Sequence, residues 1–243
     1  MTNHITKKAL IELKNIQKVY SKVDMETHAL RDINMAIYEG DYLSISGPSG
    51  CGKSTLLSLL GLLDTPTSGS YLIKGQEVAS LTADDRAEIR NLHIGFIFQA
   101  FNLIDEISVY DNVALPLKYR EPKLSAKEVD EQVMSSLEKV EMQHRCSHKP
   151  NQLSGGQQQR IAIARALVGK PSILLVDEPT GNLDSKNGDL VMSLLDNLNR
   201  EGTTICMVTH DPRYADHAKI KLNLLDGIIL DNIALASALQ EAV

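Results

Sequence analysis

The chain has no stretch approaching the ~18 consecutive apolar residues that a bilayer-spanning helix needs, so it predicts no transmembrane segment of its own. Its opening residues, MTNHITKKAL, carry charge without an apolar region behind them, which argues against a secretion signal. Cysteines are few and odd in number: Cys51, Cys146 and Cys206, widely separated. No disulfide framework is expected, and a reducing cytoplasm is the simpler setting. Basic charge is not in excess, since 25 Lys and Arg stand against 31 Asp and Glu for a net charge of -6. Phosphate-backbone binding depends on clustered Lys and Arg, so nucleic acid is not an expected partner. Internal repeats and low-complexity tracts are also missing.

What is present is an α/β pattern. The 243 residues are 43% hydrophobic, enough for a sizeable core, and read as a single module over 1–243. The first forty residues mix strand-like runs, ALIELKNI and HALRDINMAI, with turns and suggest an antiparallel N-terminal sheet. DYLSIS then reads as a strand entering a glycine-rich loop, and STLLSLL as a helix stopped by Gly61. From about residue 101 to 150 the pattern is helical. Ser125 and Glu128 form a capping-box pair there, and Val129, Val133, Leu137 and Val140 recur at helical spacing. Alternation returns with SILLVDE, a helix near residues 186–199, and TTICMVTH, favouring a mostly parallel sheet with covering helices. KIKLNLLDGIILD suits a closing hairpin turning at Asp226-Gly227.

The chemistry begins at GPSGCGKST, residues 47–55, which fits the P-loop pattern between a strand and a helix. Gly47, Gly50 and Gly52, with Pro48, Ser49 and Cys51 between them, let backbone N–H groups converge on phosphate oxygens. The following helix N-terminus adds partial positive charge in the same direction. Lys53 can neutralise β- and γ-phosphates, and Ser54, followed by Thr55, can ligate Mg²⁺. In SILLVDE, four apolar residues precede Asp177 and Glu178 at a strand end. Asp177 would hold the magnesium and Glu178 would polarise the attacking water as general base. An Asp-Glu pair by itself is usually a solvated turn; beside a P-loop it reads as the second half of an ATP site. The expected fold is therefore a P-loop NTPase core with an N-terminal antiparallel β subdomain and an inserted α-helical subdomain at about 101–165.

LSGGQQQRIAIARAL, residues 153–167, narrows the reading further. Ser154 can cap a helix with Gln157 at the capping-box position, while Gly155 and Gly156 leave amides open to an anion. Together with GPSGCGKST and ILLVDE, this stretch resembles the ABC ATPase family over nearly the whole chain. The resemblance implies that the signature residues Leu153, Ser154, Gly155, Gly156 and Gln157 of one subunit close on the nucleotide held by another. A homodimer, or a heterodimer with a similar ATPase, follows. It further implies that Tyr20 stacks on adenine and that Gln99 is the Q-loop contact to Mg²⁺ or water. Asp184 would belong to a D-loop crossing the dimer interface, and His210 would be the switch histidine on the γ-phosphate. GNLD departs here from the commoner Ser-Ala-Leu-Asp form.

GLLDTPTSGSYLIKG and NLHIGFIFQAFNLI with VYDNVALPLKY resemble the lipoprotein-releasing (LolD-like) and macrolide-exporting (MacB-like) mechanotransmission branch. That branch implies integral membrane permease subunits and a place on the cytoplasmic face of the inner membrane. Polar amino acid importers share LSGGQQQR, and cell-division ATPases share the motor, so both stay open. The sequence after the hairpin is short, and no added C-terminal regulatory domain is expected. His144, Cys146 and His148 match no common zinc spacing and read as a surface loop. Cys51 lies beside Lys53 and a helix N-terminus, so alkylation there is expected to block the P-loop; Cys206, in an apolar strand, is expected to be inert.

Overall fold

A computed structural model describes residues 8–22 and 25–230. Residues 1–7 of the opening read above for a secretion signal, and the stretch after the hairpin from residue 231, lie outside them. β1 (Ala9–Lys22) and β2 (Met25–Tyr38) pair antiparallel, as expected. Two later strands complete their sheet: β4 (Ser68–Ile73) pairs with β1, and β5 (Gln76–Glu77) with β4, in the order β2-β1-β4-β5.

The second sheet has the order β10-β9-β3-β8-β7-β6. Its members are β3 (Tyr42–Ser46), β6 (Ile94–Ile97), β7 (Ile173–Asp177), β8 (Thr204–Val208), β9 (Ile220–Leu225) and β10 (Ile228–Ile229). Every pairing is parallel except the closing hairpin of β9 and β10. That hairpin turns at Asp226-Gly227, with φ of 48° and 78°, the signs a type I′ turn requires. β3, β7 and β8 are buried along nearly their whole length because both faces are covered, which is why they read as unbroken apolar runs.

Strand alternation divides the apolar residues between two cores. Leu43, Ile45, Ile173, Leu175, Cys206 and Val208 point to one, shared with the antiparallel sheet and α1 (Lys53–Leu60). Leu174, Val176, Ile205 and Met207 point to the other, where the helical segment packs. α2 (Ala83–His93) precedes that segment and has no fully buried residue.

Helix in the 101–165 region is broken rather than continuous. α3 (Val109–Ala114) runs into a 3-10 turn, Leu115–Tyr119, then come α4 (Ala126–Lys139) and α5 (Gly155–Leu167). The Ser125–Glu128 capping box is formed, and Val133, Leu137 and Val140 are buried. α6 (Ser185–Arg200) follows β7, and α7 (Pro212–Ala215) follows β8.

Candidate nucleotide site

The carboxyl ends of β3, β7 and β8, neighbours in the sheet, bring three chain segments to one edge, the usual place for a ligand in an open parallel sheet. β3 leads through residues 47–52 into α1. Gly52 precedes that helix at φ 108°, and a Cβ there would lie 2.5 Å from the Ala29 carbonyl oxygen, so both backbone angle and space demand glycine. Each described helix from α2 to α7 has a side chain capping its first turn; α1 has none. Its leading amides are therefore left for a ligand, in the direction of the positive helix end. Lys53 Nζ donates to the carbonyls of Gly47 at 2.7 Å and Pro48 at 2.8 Å, folded back over its own loop.

β7 ends at Asp177. Burial, and then the neighbouring Glu178 charge, push its carboxyl above the usual range, while Lys53 pulls it back. A half-buried carboxylate next to a second carboxylate suits a hard cation that also takes phosphate oxygens. Among the described residues no cluster of three or more His, Cys, Asp or Glu could hold a metal by itself. Glu178 has φ 44°, a left-handed conformation unusual outside glycine, and its Oε1 lies 2.9 Å from His210 Nδ1. The general-base and switch candidates thus meet directly, across 32 residues of sequence.

An open cleft of about 820 Å³ gathers most of these groups, although Asp177 is not among its lining residues. Tyr20, Lys53, Ser54, Thr55, Glu178 and His210 all line it, together with Gly47, Ser49, Gly50 and Gly52. Tyr20 is 41% exposed. The residues 153–157 do not line the cleft, nor do Gln99 and Asp184. Ser154 instead caps α5, in a complete box with Gln157. Asp184 caps α6, accepting from the Asn187 amide at 2.9 Å. Gln99 lies against the D-loop, its carbonyl accepting from Asn182 Nδ2 at 2.9 Å. Arg165 of α5 donates to the carbonyls of Phe101 and Asn102, so the signature helix grips the loop that follows Gln99.

Sequence reading missed part of the wall. His28 and Arg31 of β2 line the cleft, as do Asp226 and Gly227 of the hairpin turn. Gly227 N–H donates to the Cys51 carbonyl at 3.0 Å, and its carbonyl accepts from the Arg31 amide at 2.8 Å. The Asp-Gly signal was visible, but only as a turn. Cys51 contributes to the loop through its backbone. Its thiol is buried at 3% exposure, 3.8 Å from Lys53 Nζ, so an alkylating reagent reaches it only when the loop opens. Burial pushes the Cys206 thiol up to about 12, in keeping with an inert side chain. Among the described residues no helix is long and apolar enough to cross a membrane.

Comparison with known proteins agrees with this geometry. The family described as ABC transporter matches residues 30–181. The uncharacterized ABC transporter ATP-binding protein MJ1508 of Methanocaldococcus jannaschii is 48% identical over 92% of this chain and 99% of its own length. The macrolide export ATP-binding/permease protein MacB of Bdellovibrio bacteriovorus is 46% identical over 90% of this chain. The match spans only 33% of that protein. Among solved structures, the cassette MJ0796, described as a dimeric post-hydrolysis state bound to ADP and Pi, superposes with a TM-score of 0.82. It is 43% identical, covering 90% of this chain and 96% of that one.

Proposed function

The chain belongs to the ABC transporter family, and we propose that it is the subunit whose ATP hydrolysis powers export or mechanotransmission through separate membrane subunits. As a family member it binds and hydrolyses ATP. One observation carries the mechanistic reading: Lys53, Ser54, Glu178 and His210 share a single cleft, and the Ser154 helix cap is not among its lining residues. A second copy supplies that cap, so each hydrolytic site belongs to two chains. The dimeric cassettes among similar structures support this arrangement.

In the proposed cycle the triphosphate takes the α1 amides, and Lys53 exchanges the Gly47 and Pro48 carbonyls for phosphate oxygens. Tyr20 stacks on the base. Ser54 and Asp177, with Gln99, would hold Mg²⁺, which when bound would offset charge on the phosphates. Glu178 accepts a proton from the attacking water as its oxygen bonds the γ-phosphorus and the bridge to the β-phosphate breaks. His210, already bonded to Glu178, donates to the γ-phosphate. Hydrolysis then reopens the dimer.

Resemblance to MacB-type proteins favours the export and mechanotransmission branch and a seat on the cytoplasmic membrane face. Glu178→Gln should keep ATP affinity, slow turnover by ~10²-fold or more, and accumulate an ATP-bound dimer in size-exclusion chromatography. Turnover at the wild-type rate would sink the assignment. Purification with the membrane partner from detergent extract tests the branch. A partner with a large periplasmic domain supports it, and a compact permease with a binding protein overturns it.

A further inference from the structure

The stretch GLLDTPTSG takes no part in the phosphate chemistry above, yet it runs directly beside the cleft. Thr67 fastens it to β1: its amide donates to the Gln17 carbonyl at 2.8 Å, and its hydroxyl accepts from the Val19 amide at 3.0 Å. That places Asp64 next to Tyr20, 44 residues away in sequence. The Tyr20 hydroxyl donates to Asp64 Oδ2 at 2.9 Å. The other carboxylate oxygen accepts from Lys18 Nζ at 2.6 Å and from the Thr65 amide at 2.7 Å. Lys18 Nζ also donates to the Thr65 carbonyl at 2.8 Å and sits 4.8 Å from the Tyr20 ring centroid, within cation–π range.

The arrangement is more elaborate than packing requires. Tyr20 is 41% exposed, so water could satisfy its hydroxyl without any protein partner. Lys18, by contrast, has only 11% of its side chain exposed and gives up hydration to reach Asp64. What the network does, alongside a side-chain contact from Thr55 to the same hydroxyl, is restrict a ring at the mouth of the cleft about its two side-chain torsions. Holding it beforehand removes the ordering cost from the binding step. Burial opposes the Asp64 charge, but the bonds from Lys18, Thr65 and Tyr20 outweigh it and keep the carboxyl below its ordinary range.

We propose that Asp64, anchored by Lys18, is a positioning residue that fixes the Tyr20 ring for stacking on the adenine base. A residue that does not touch the nucleotide thereby sets part of its affinity. The inference rests on Tyr20 being the base-stacking residue, and the test separates the two. Binding of a non-hydrolysable ATP analogue and of inorganic tripolyphosphate is measured calorimetrically on the full chain, with melting temperature recorded for each variant. Tyr20→Phe keeps the ring and loses the hydroxyl with its contacts to Asp64 and Thr55; Asp64→Ala loses the anchor alone; Asp64→Asn keeps an acceptor.

Tyr20→Phe and Asp64→Ala should each weaken the ATP analogue about fivefold and leave tripolyphosphate unchanged. The double variant should be no weaker than the worse single one, and Asp64→Asn should recover most of the loss. Additive losses, or a parallel fall in tripolyphosphate affinity, would show that Asp64 acts on the fold or the P-loop and overturn the proposal. Wild-type affinity in Tyr20→Phe, with a loss in Tyr20→Ala, overturns the anchor and spares the stacking reading. Wild-type affinity in Tyr20→Ala overturns both.

Discussion

Glu178 and Gln159 each sit in a conformation or environment that a folded chain ordinarily avoids. Glu178 holds a left-handed backbone at φ 44° while its side chain meets His210. Such strain costs on the order of 1–3 kcal/mol and persists where surrounding structure imposes it. Glu178→Gly should therefore abolish turnover and yet raise the melting temperature of the nucleotide-free protein, by about 1 kcal/mol of stability. Gln159 is fully buried on α5, with neither its amide nitrogen nor its amide oxygen bonded. Replacing it with leucine removes an unsatisfied polar group from the interior and should stabilise the nucleotide-free protein by roughly 1 kcal/mol or more, measured by chemical denaturation. Neither feature could be read from sequence. Asp-Glu after an apolar strand announces chemistry but not its dihedral angles, and Gln159 is one of three successive glutamines whose facing depends on tertiary packing.

At the level of elements, the capping boxes at Ser125 and Ser154 provide a controlled comparison. Both are complete, with Glu128 and Gln157 as reciprocal partners. Ser125→Ala and Ser154→Ala should each cost about 1 kcal/mol of stability. Only the second should also lower steady-state ATPase activity, because only it would alter the surface that the proposed dimer offers to a partner's nucleotide. Equal turnover in the two variants would remove Ser154 from the shared site. These caps were legible because they are local: the spacing of serine to Glu or Gln is all they need. The long helix expected at 186–199 likewise emerged as Ser185–Arg200. α2 was not anticipated, since none of its residues is fully buried and its pattern carries little periodic signal. β4 and β5 were missed for a different reason. Their sheet is defined by pairings such as Ile11 with Ile73, which sequence proximity does not reveal.

For the molecule as a whole, two cores share one parallel sheet, so the phosphate loop and the helical segment are braced by opposite faces of the same strands. The motifs made this architecture readable, yet the cleft has a wall, Arg31 with Asp226 and Gly227, contributed by residues nearly two hundred positions apart. A site finished only by a second copy predicts turnover per chain that rises with protein concentration before saturating. An enzyme dilution series checks this, and turnover per chain independent of concentration would argue for a self-sufficient monomer. ATP at about 100 times its Kd should also raise stability by roughly 2.7 kcal/mol if it binds only the folded chain. The uncapped start of α1 gives that stabilisation a location. Its neighbours end their first turns with groups encoded in the chain, whereas α1 leaves that part of its fold to be supplied from solution. The triphosphate is then the missing terminus of a helix as well as a fuel. Hydrogen exchange at the amides of Lys53, Ser54 and Thr55 should slow sharply when tripolyphosphate alone is added, with no base and no partner present.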